Sequence, residues 1–128
     1  MITDISAALT LYSHDLRSCW TAYLFYRASD PYFVRVLTHW GAVDVAREVL
    51  IEGPNRPISL GAVSLGPSDR HEWLIATVHL ESADAPLPLC VLREPLANFV
   101  AEVLRLVPPD GESAWIDWDE FLPPGDRS

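Results

Sequence analysis

The apolar residues of this chain change their period once, near residue 95, and that change restricts the fold more than any other feature. Upstream they recur at every second position, the spacing of a strand that turns one face to a core. Ile5, Ala7, Leu9 and Leu11 fall on one side, and Ser6, Ala8, Thr10 and Tyr12 on the other. Downstream, Leu96, Phe99, Val100, Val103, Leu104 and Val107 form one stripe at α-helical spacing. Pro95 suits the first helical position, where a missing N–H breaks no intrahelical bond. Pro108-Pro109 stops the helix. Successive strands followed by one long amphipathic helix predict an α+β domain, with the helix packed on an antiparallel sheet.

Residues 19–27 are apolar or aromatic on both faces, which predicts an inner strand covered on two sides. The polar residues 13–18 make its hairpin connection. Asp30-Pro31 reads as a turn, since proline fixes its own φ and biases its predecessor toward extended backbone. A third strand then runs from Tyr32 to Trp40, with Tyr32, Val34, Val36 and Trp40 on one face and Gly41 at its end. Residues 43–52 begin like a strand, but 46–52 favour a helical turn. Gly53-Pro54-Asn55-Arg56-Pro57 is a loop. Extended segments follow at about 59–65 and 72–81, separated by a turn at Gly66-Pro67-Ser68-Asp69. The prolines of residues 86–92 suit an edge strand better than a sheet centre.

The chain has 128 residues, the size of a single domain that needs no disulfide or metal to stabilise it. The expected domain spans 1–128, with a flexible tail from about residue 123. Nine arginines and no lysine stand against 18 acidic residues, a formal charge of -9. That balance repels phosphate backbones and anionic membrane surfaces, so neither a nucleic-acid partner nor membrane insertion is expected. No basic leader precedes an apolar run, and no run reaches the roughly 20 residues needed to span a bilayer. A cytoplasmic location follows as the expectation. Cys19 and Cys90 sit in apolar stretches and read as buried free thiols.

Catalytic and ligating patterns are missing. His14, His39, His71 and His79 are dispersed, and His71 and His79 lie about 26 Å apart if they share one extended strand. No nucleophile elbow, phosphate loop or dinucleotide fingerprint is present. Glu48 and Glu52 could share a helix face, where a solvated acidic surface is the common outcome, with Arg47 pairing Asp44 or Glu48 at the surface. No enzyme, no metal and no cofactor is expected. The segment from Trp115 to Leu122 instead interleaves bulky rings with carboxylates. Trp115 and Trp118 are candidate partner anchors, because tryptophan is favoured at interface hot spots. The competing reading, favoured because large aromatics are usually well buried, has these rings and Leu122 close the core.

Several segments, in order, resemble one family. Tyr26-Arg27-Ala28-Ser29-Asp30-Pro31-Tyr32-Phe33-Val34 resembles the Tyr-x-x-x-Asp-Pro-Tyr-x-Val signature of the SsgA-like proteins, actinobacterial regulators of sporulation and cell division. Ala46-Arg47-Glu48-Val49-Leu50 resembles the family's Ala-Arg-Asp-Leu-Leu, and Gly53, Pro57, Gly61, Val63 and Pro67 follow at matching distances. Phe99 lies on a helix matching the family's late helix. Val107-Pro108-Pro109-Asp110-Gly111-Glu112 is similar to its Val-Pro-x-Gly-x-Glu. The likeness covers about residues 5 to 123. It departs where Ala62 stands in the family's Gly-Asp-Val and in the first strands, as in a divergent member.

The resemblance implies antiparallel sheets with a C-terminal helix, similar to the whirly-type single-stranded-DNA-binding fold, assembled as a homotrimer. It implies no enzymatic activity. The expected role is that of an adaptor for the division or cell-wall machinery, with the tubulin-like protein FtsZ or other SsgA-like proteins as partners and recruitment to the septum. The alternative is a single-stranded nucleic-acid-binding module on the same sheet, which the net charge of -9 opposes. The matched residues read as architectural. Asp30 and Pro31 shape a turn, while Gly53 and Gly61 supply turn conformations or close approach.

Overall fold

The computed structural model describes residues 2–80 and 85–109. Gly111, Trp115, Trp118 and the tail from about residue 123 lie outside the described residues. The elements in chain order are β1 (Asp4–Ser13), β2 (Cys19–Arg27), β3 (Asp30–Thr38), β4 (Gly41–Ala46), α1 (Arg47–Glu52), β5 (Ile58–Leu60), β6 (Val63–Pro67), β7 (Trp73–Val78), β8 (Leu87–Leu92) and α2 (Arg93–Leu106). The expected antiparallel sheet and late helix are both present.

The strands form one sheet in the order β4-β3-β2-β1-β8-β7-β6-β5, all neighbours antiparallel. This is two meanders joined where β1 meets β8, and the joint is short: Leu11 opposite Val91, Tyr12 opposite Cys90, Ser13 opposite Leu89. The two halves face each other across the core. Leu9, Leu24 and Val45 from the first half and Leu65, Val78 and Leu89 from the second line one apolar cavity of about 70 Å³, together with Leu50 and Leu96 from the helices. The helix α2 lies over the joint against β1 and β8, burying Leu96, Phe99 and Val103.

Two glycines have roles that only glycine fills. Gly61, at φ +69°, turns the chain between β5 and β6 in a conformation that costs other residues about 1–2 kcal/mol. Gly53 ends α1 with ordinary helical angles, but a Cβ there would meet the Leu65 side chain and the Val49 carbonyl oxygen at 2.6 Å. Its role is close approach.

The structure corrects several sequence expectations. Residues 59–65 are two strands split at Gly61, not one. Gly66 and Pro67 belong to β6, and the turn falls after them, tied by Ser68 Oγ, which donates to the Arg70 and Trp73 carbonyls. Asp30 and Pro31 open β3, and Tyr32 is 39% exposed instead of sharing the buried face of Val34. Pro95 is the third helical residue, since α2 begins at Arg93; the first-turn amides have no intrahelical partner there either. Cys19 is an exposed free thiol. The proline-bearing β8 is internal, between β1 and β7. Its pairing with β1 stops at Leu89, so Pro88 lies where that flank of the strand is still an edge. Among the described residues, β2 lacks the cover on its second face that its composition leads one to expect.

Candidate interaction surface

On β2, Ala22, Leu24 and Tyr26 point into the core at 0–2% exposure, while the alternating Tyr23 and Phe25 are 51% and 42% exposed. Next to them on β3 stand Phe33 and Leu37, exposed at 47% and 40%. Tyr23 is directly opposite Leu37, and Phe25 is opposite Arg35. The strand is internal in the sheet, but its outer face is open. The sequence carries the signal in its alternation: a strand with large apolar groups on both faces needs cover on both, and this half-sheet has cover on one.

Charges border the rings. Arg35 donates from Nε to Asp44 Oδ1 at 3.0 Å and from Nη2 to Oδ2 at 3.3 Å, a two-pronged pair across β3 and β4. That pairing holds the Asp44 carboxyl below its ordinary value and raises the Arg35 guanidinium. Arg27 and Asp30 face each other at the β2–β3 end, beside a register shift at Tyr26/Arg27. Phe25, Arg27, Phe33, Arg35, Leu37 and Asp44 border one shallow depression. Phe33 also borders a second one with Tyr32, Ile51 and Pro109.

Several resemblance residues meet at a different place, inside the domain. The Arg47 side chain, only 2% exposed, donates from Nη1 to the Tyr26 hydroxyl at 3.0 Å and to the Val107 carbonyl at 2.5 Å. The Tyr26 hydroxyl donates in turn to the Pro31 carbonyl at 3.1 Å. Tyr26, Pro31, Arg47 and the residue before Pro108 therefore form one buried node joining β2, β3, α1 and the end of α2. Asp44 is taken by Arg35, so the surface pairing expected of Arg47 does not form. Leu50 and Phe99 are buried in the same core, while Gly61, Pro57 and Pro67 lie on the other half of the sheet, with the Cα of Pro57 packed against Gly66. Asp30 and Tyr32 are exposed.

Among the described residues no group of three or more His, Cys, Asp or Glu side chains is placed to hold a metal. Burial raises the Cys90 thiol above its ordinary value, which disfavours the reactive thiolate. No helix among the described residues is long and apolar enough to cross a membrane.

The comparisons with known proteins bear on this arrangement directly. Residues 21–112, from the start of the open β2 face past the Arg47 node, match the family described as Streptomyces sporulation and cell division protein, SsgA. The chain belongs to the SsgA family. It is 32% identical over 104 residues to the sporulation-specific cell division protein SsgB of Streptomyces coelicolor, covering 77% of this chain and 76% of that one. Among solved structures, one reported with SsgB mutations that correlate to longitudinal cell division during sporulation of S. coelicolor superposes with a TM-score of 0.75. It is 29% identical, over 89% of this chain and 96% of the other. An SsgA-like sporulation-specific cell division protein from Thermobifida fusca gives 0.73 at 28% identity, over 93% and 92% of the two chains. In this SsgA-family chain the family-like residues Tyr26, Pro31 and Arg47 are turned inward, and the rings of β2 and β3 outward.

Proposed function

We propose that this chain is a non-enzymatic, protein-binding regulator of septation and sporulation, an oligomeric adaptor whose contact surface is the open β2–β3 face. The observation that carries this reading is the row of Tyr23, Phe25, Phe33 and Leu37, large apolar groups left 40–51% exposed together on one face of two paired strands. Contiguous exposed apolar groups edged by charge mark protein contacts, and aromatic residues with arginine are the usual anchors. Family membership supplies the setting. The reading has the chain act in the cytoplasm and at the septum, as a homotrimer with a whirly-like arrangement of its half-sheets, and contact FtsZ or another SsgA-like protein.

The test is direct binding of the purified chain to FtsZ from the same host, with Tyr23→Ser and Phe25→Ser combined as the control. Saturable binding that disappears in the folded double variant supports the reading. A second reading has one observation in its favour: rings beside Arg27 on a sheet resemble a platform on which unpaired bases stack. The charge of -9 opposes it. Tight binding of single-stranded DNA at low salt, without binding of FtsZ, would overturn the adaptor reading.

A further inference from the structure

The strands β1–β4 join large exposed apolar groups to charges of both signs, and those charges nearly cancel. Asp4, Asp30 and Asp44 stand against Arg27 and Arg35, a sum of -1 within a chain of -9. The surplus of negative charge therefore lies elsewhere on the chain. At physiological salt, charges beyond about 8 Å of a contact are largely screened. Two copies of this acidic chain repel each other least where they meet on this face. In projection the face measures about 19 Å across four strands and about 30 Å along β2, roughly 600 Å². Two such faces pressed together bury roughly 1,200 Å² between them, the lower limit of a specific interface.

The strand register makes the face complementary to itself. Tyr23 lies opposite Leu37, Phe25 opposite Arg35 and Arg27 opposite Asp30. Each pair couples unlike but compatible groups: ring with aliphatic side chain, ring with guanidinium, guanidinium with carboxylate. Consider a two-fold axis between two facing sheets, parallel to the strands and midway between β2 and β3. It lays β2 of one copy over β3 of the other, so each residue meets the counterpart of its own cross-strand neighbour. No like charges then meet on these two strands, and on the flanks Asp44 meets Ser6, the far members of the Ser6–Phe25–Arg35–Asp44 row. A two-fold set across the strands at the Phe25–Arg35 row would instead place Arg35 against its own copy, which like charge disfavours. Sheets packed face to face keep their strands within about 30° of each other. The correspondence is therefore closest on β2 and β3, which flank the axis.

We infer that two copies of this chain pair face to face about the axis parallel to the strands. Tyr23 packs on Leu37 of the second copy, Phe25 lies under its Arg35 guanidinium, and Arg27 meets its Asp30. Such a contact is isologous and closes at two copies, which leaves the trimer proposed above to other surfaces. The regulatory consequence rests on the proposed role of this face: a paired face is closed to any other protein, and dilution opens it. The pairing itself does not depend on who that other protein is.

The experiment is analytical ultracentrifugation of the full chain from nanomolar to millimolar concentration. The result expected is a reversible doubling of the mass that persists at high dilution. Arg27→Asp and Asp30→Arg, each checked for its fold by circular dichroism, set like charges against each other across the pair. Each should weaken the doubling at least about tenfold. Mixed in equal amounts, the two variants present opposite charges to one another at both contacts, and the mixture should double near the parent's concentration. Failure of the mixture to recover, or doubling indifferent to both variants, overturns pairing about this axis. A mass that stays at one or three chains throughout overturns pairing altogether. A tripling that both variants abolish places the face in a three-fold ring and overturns the two-fold pair too. The FtsZ binding experiment is run on nanomolar chain, where the pair is apart, so failure of the pairing and failure of the adaptor reading are separable.

Discussion

Arg47 and Arg35 are held in opposite ways, and the contrast separates what builds this domain from what it shows to others. Arg47 is 2% exposed and is spent on a hydroxyl and a backbone carbonyl that tie the N-terminus of α1 to the C-terminus of α2. Arg35 stands in solvent on the open face, and its Asp44 partner is exposed too. A buried guanidinium is dear to desolvate and dearer to lose once its neighbours depend on it, whereas an exposed pair is worth little. The node is a structural commitment, and the face is free to serve another purpose.

Breaking the node should give the largest effect. Arg47→Ala takes from the buried Val107 carbonyl and Tyr26 hydroxyl the donor they share, and we expect a loss of about 3 kcal/mol in urea denaturation. A loss below about 0.5 kcal/mol, the size of a surface substitution, would mean the node does not hold the helix ends together. Tyr26→Phe keeps the ring and removes only the hydroxyl that accepts from Arg47 and donates to Pro31. It should cost about 1–2 kcal/mol by the same measurement. Gly53→Ala belongs in this range too: its Cβ must push Leu65 aside, and overpacking of that kind costs about 1–3 kcal/mol.

The node was only half legible in the sequence, for a physical reason. The period of the apolar residues gave the strands and α2, because burial on one face leaves a repeat that needs no partner to be seen. It could not reveal that Arg47 turns inward. A single charged residue at the start of a short helix has the same local pattern whether it meets Asp44 or reaches Val107, 60 positions away. The resemblance singled out Tyr26, Pro31 and Arg47 one by one, and only the fold brings them together. The open face was misread in the other direction. Tyr23 and Phe25 made β2 look doubly covered, and local sequence does not say whether the cover comes from the same domain. The same limit explains β8, whose prolines suit an edge and whose pairing with β1 lasts only to Leu89.

On the face, stability and binding should part company. Tyr23→Ser with Phe25→Ser removes rings that stand about half exposed and outside the core, so unfolding should shift by no more than about 0.5 kcal/mol per site. Binding to FtsZ should weaken at least about tenfold, the least expected of a hot-spot pair. Equal losses in both measurements would erase the distinction between node and face.

The smallest effect tests the same contrast through pH. Asp44 has its carboxyl lowered by the hydrogen bonds from Arg35, so its folded value lies below its unfolded one. The pair's stabilisation is then fully present above the ordinary carboxylate value of about 4 and is lost as pH falls through the depressed folded value. Asp44→Asn should therefore unfold slightly more easily than the parent near neutrality, and the gap should close only in that acid range. Because both partners are open to water, added salt should shrink the gap at neutral pH as well. The Arg47→Ala deficit arises in the interior, where salt screens little, and should persist as salt is added. If salt instead erased the Arg47→Ala deficit and spared that of Asp44→Asn, the assignment of one arginine to the interior and the other to the working surface would be reversed.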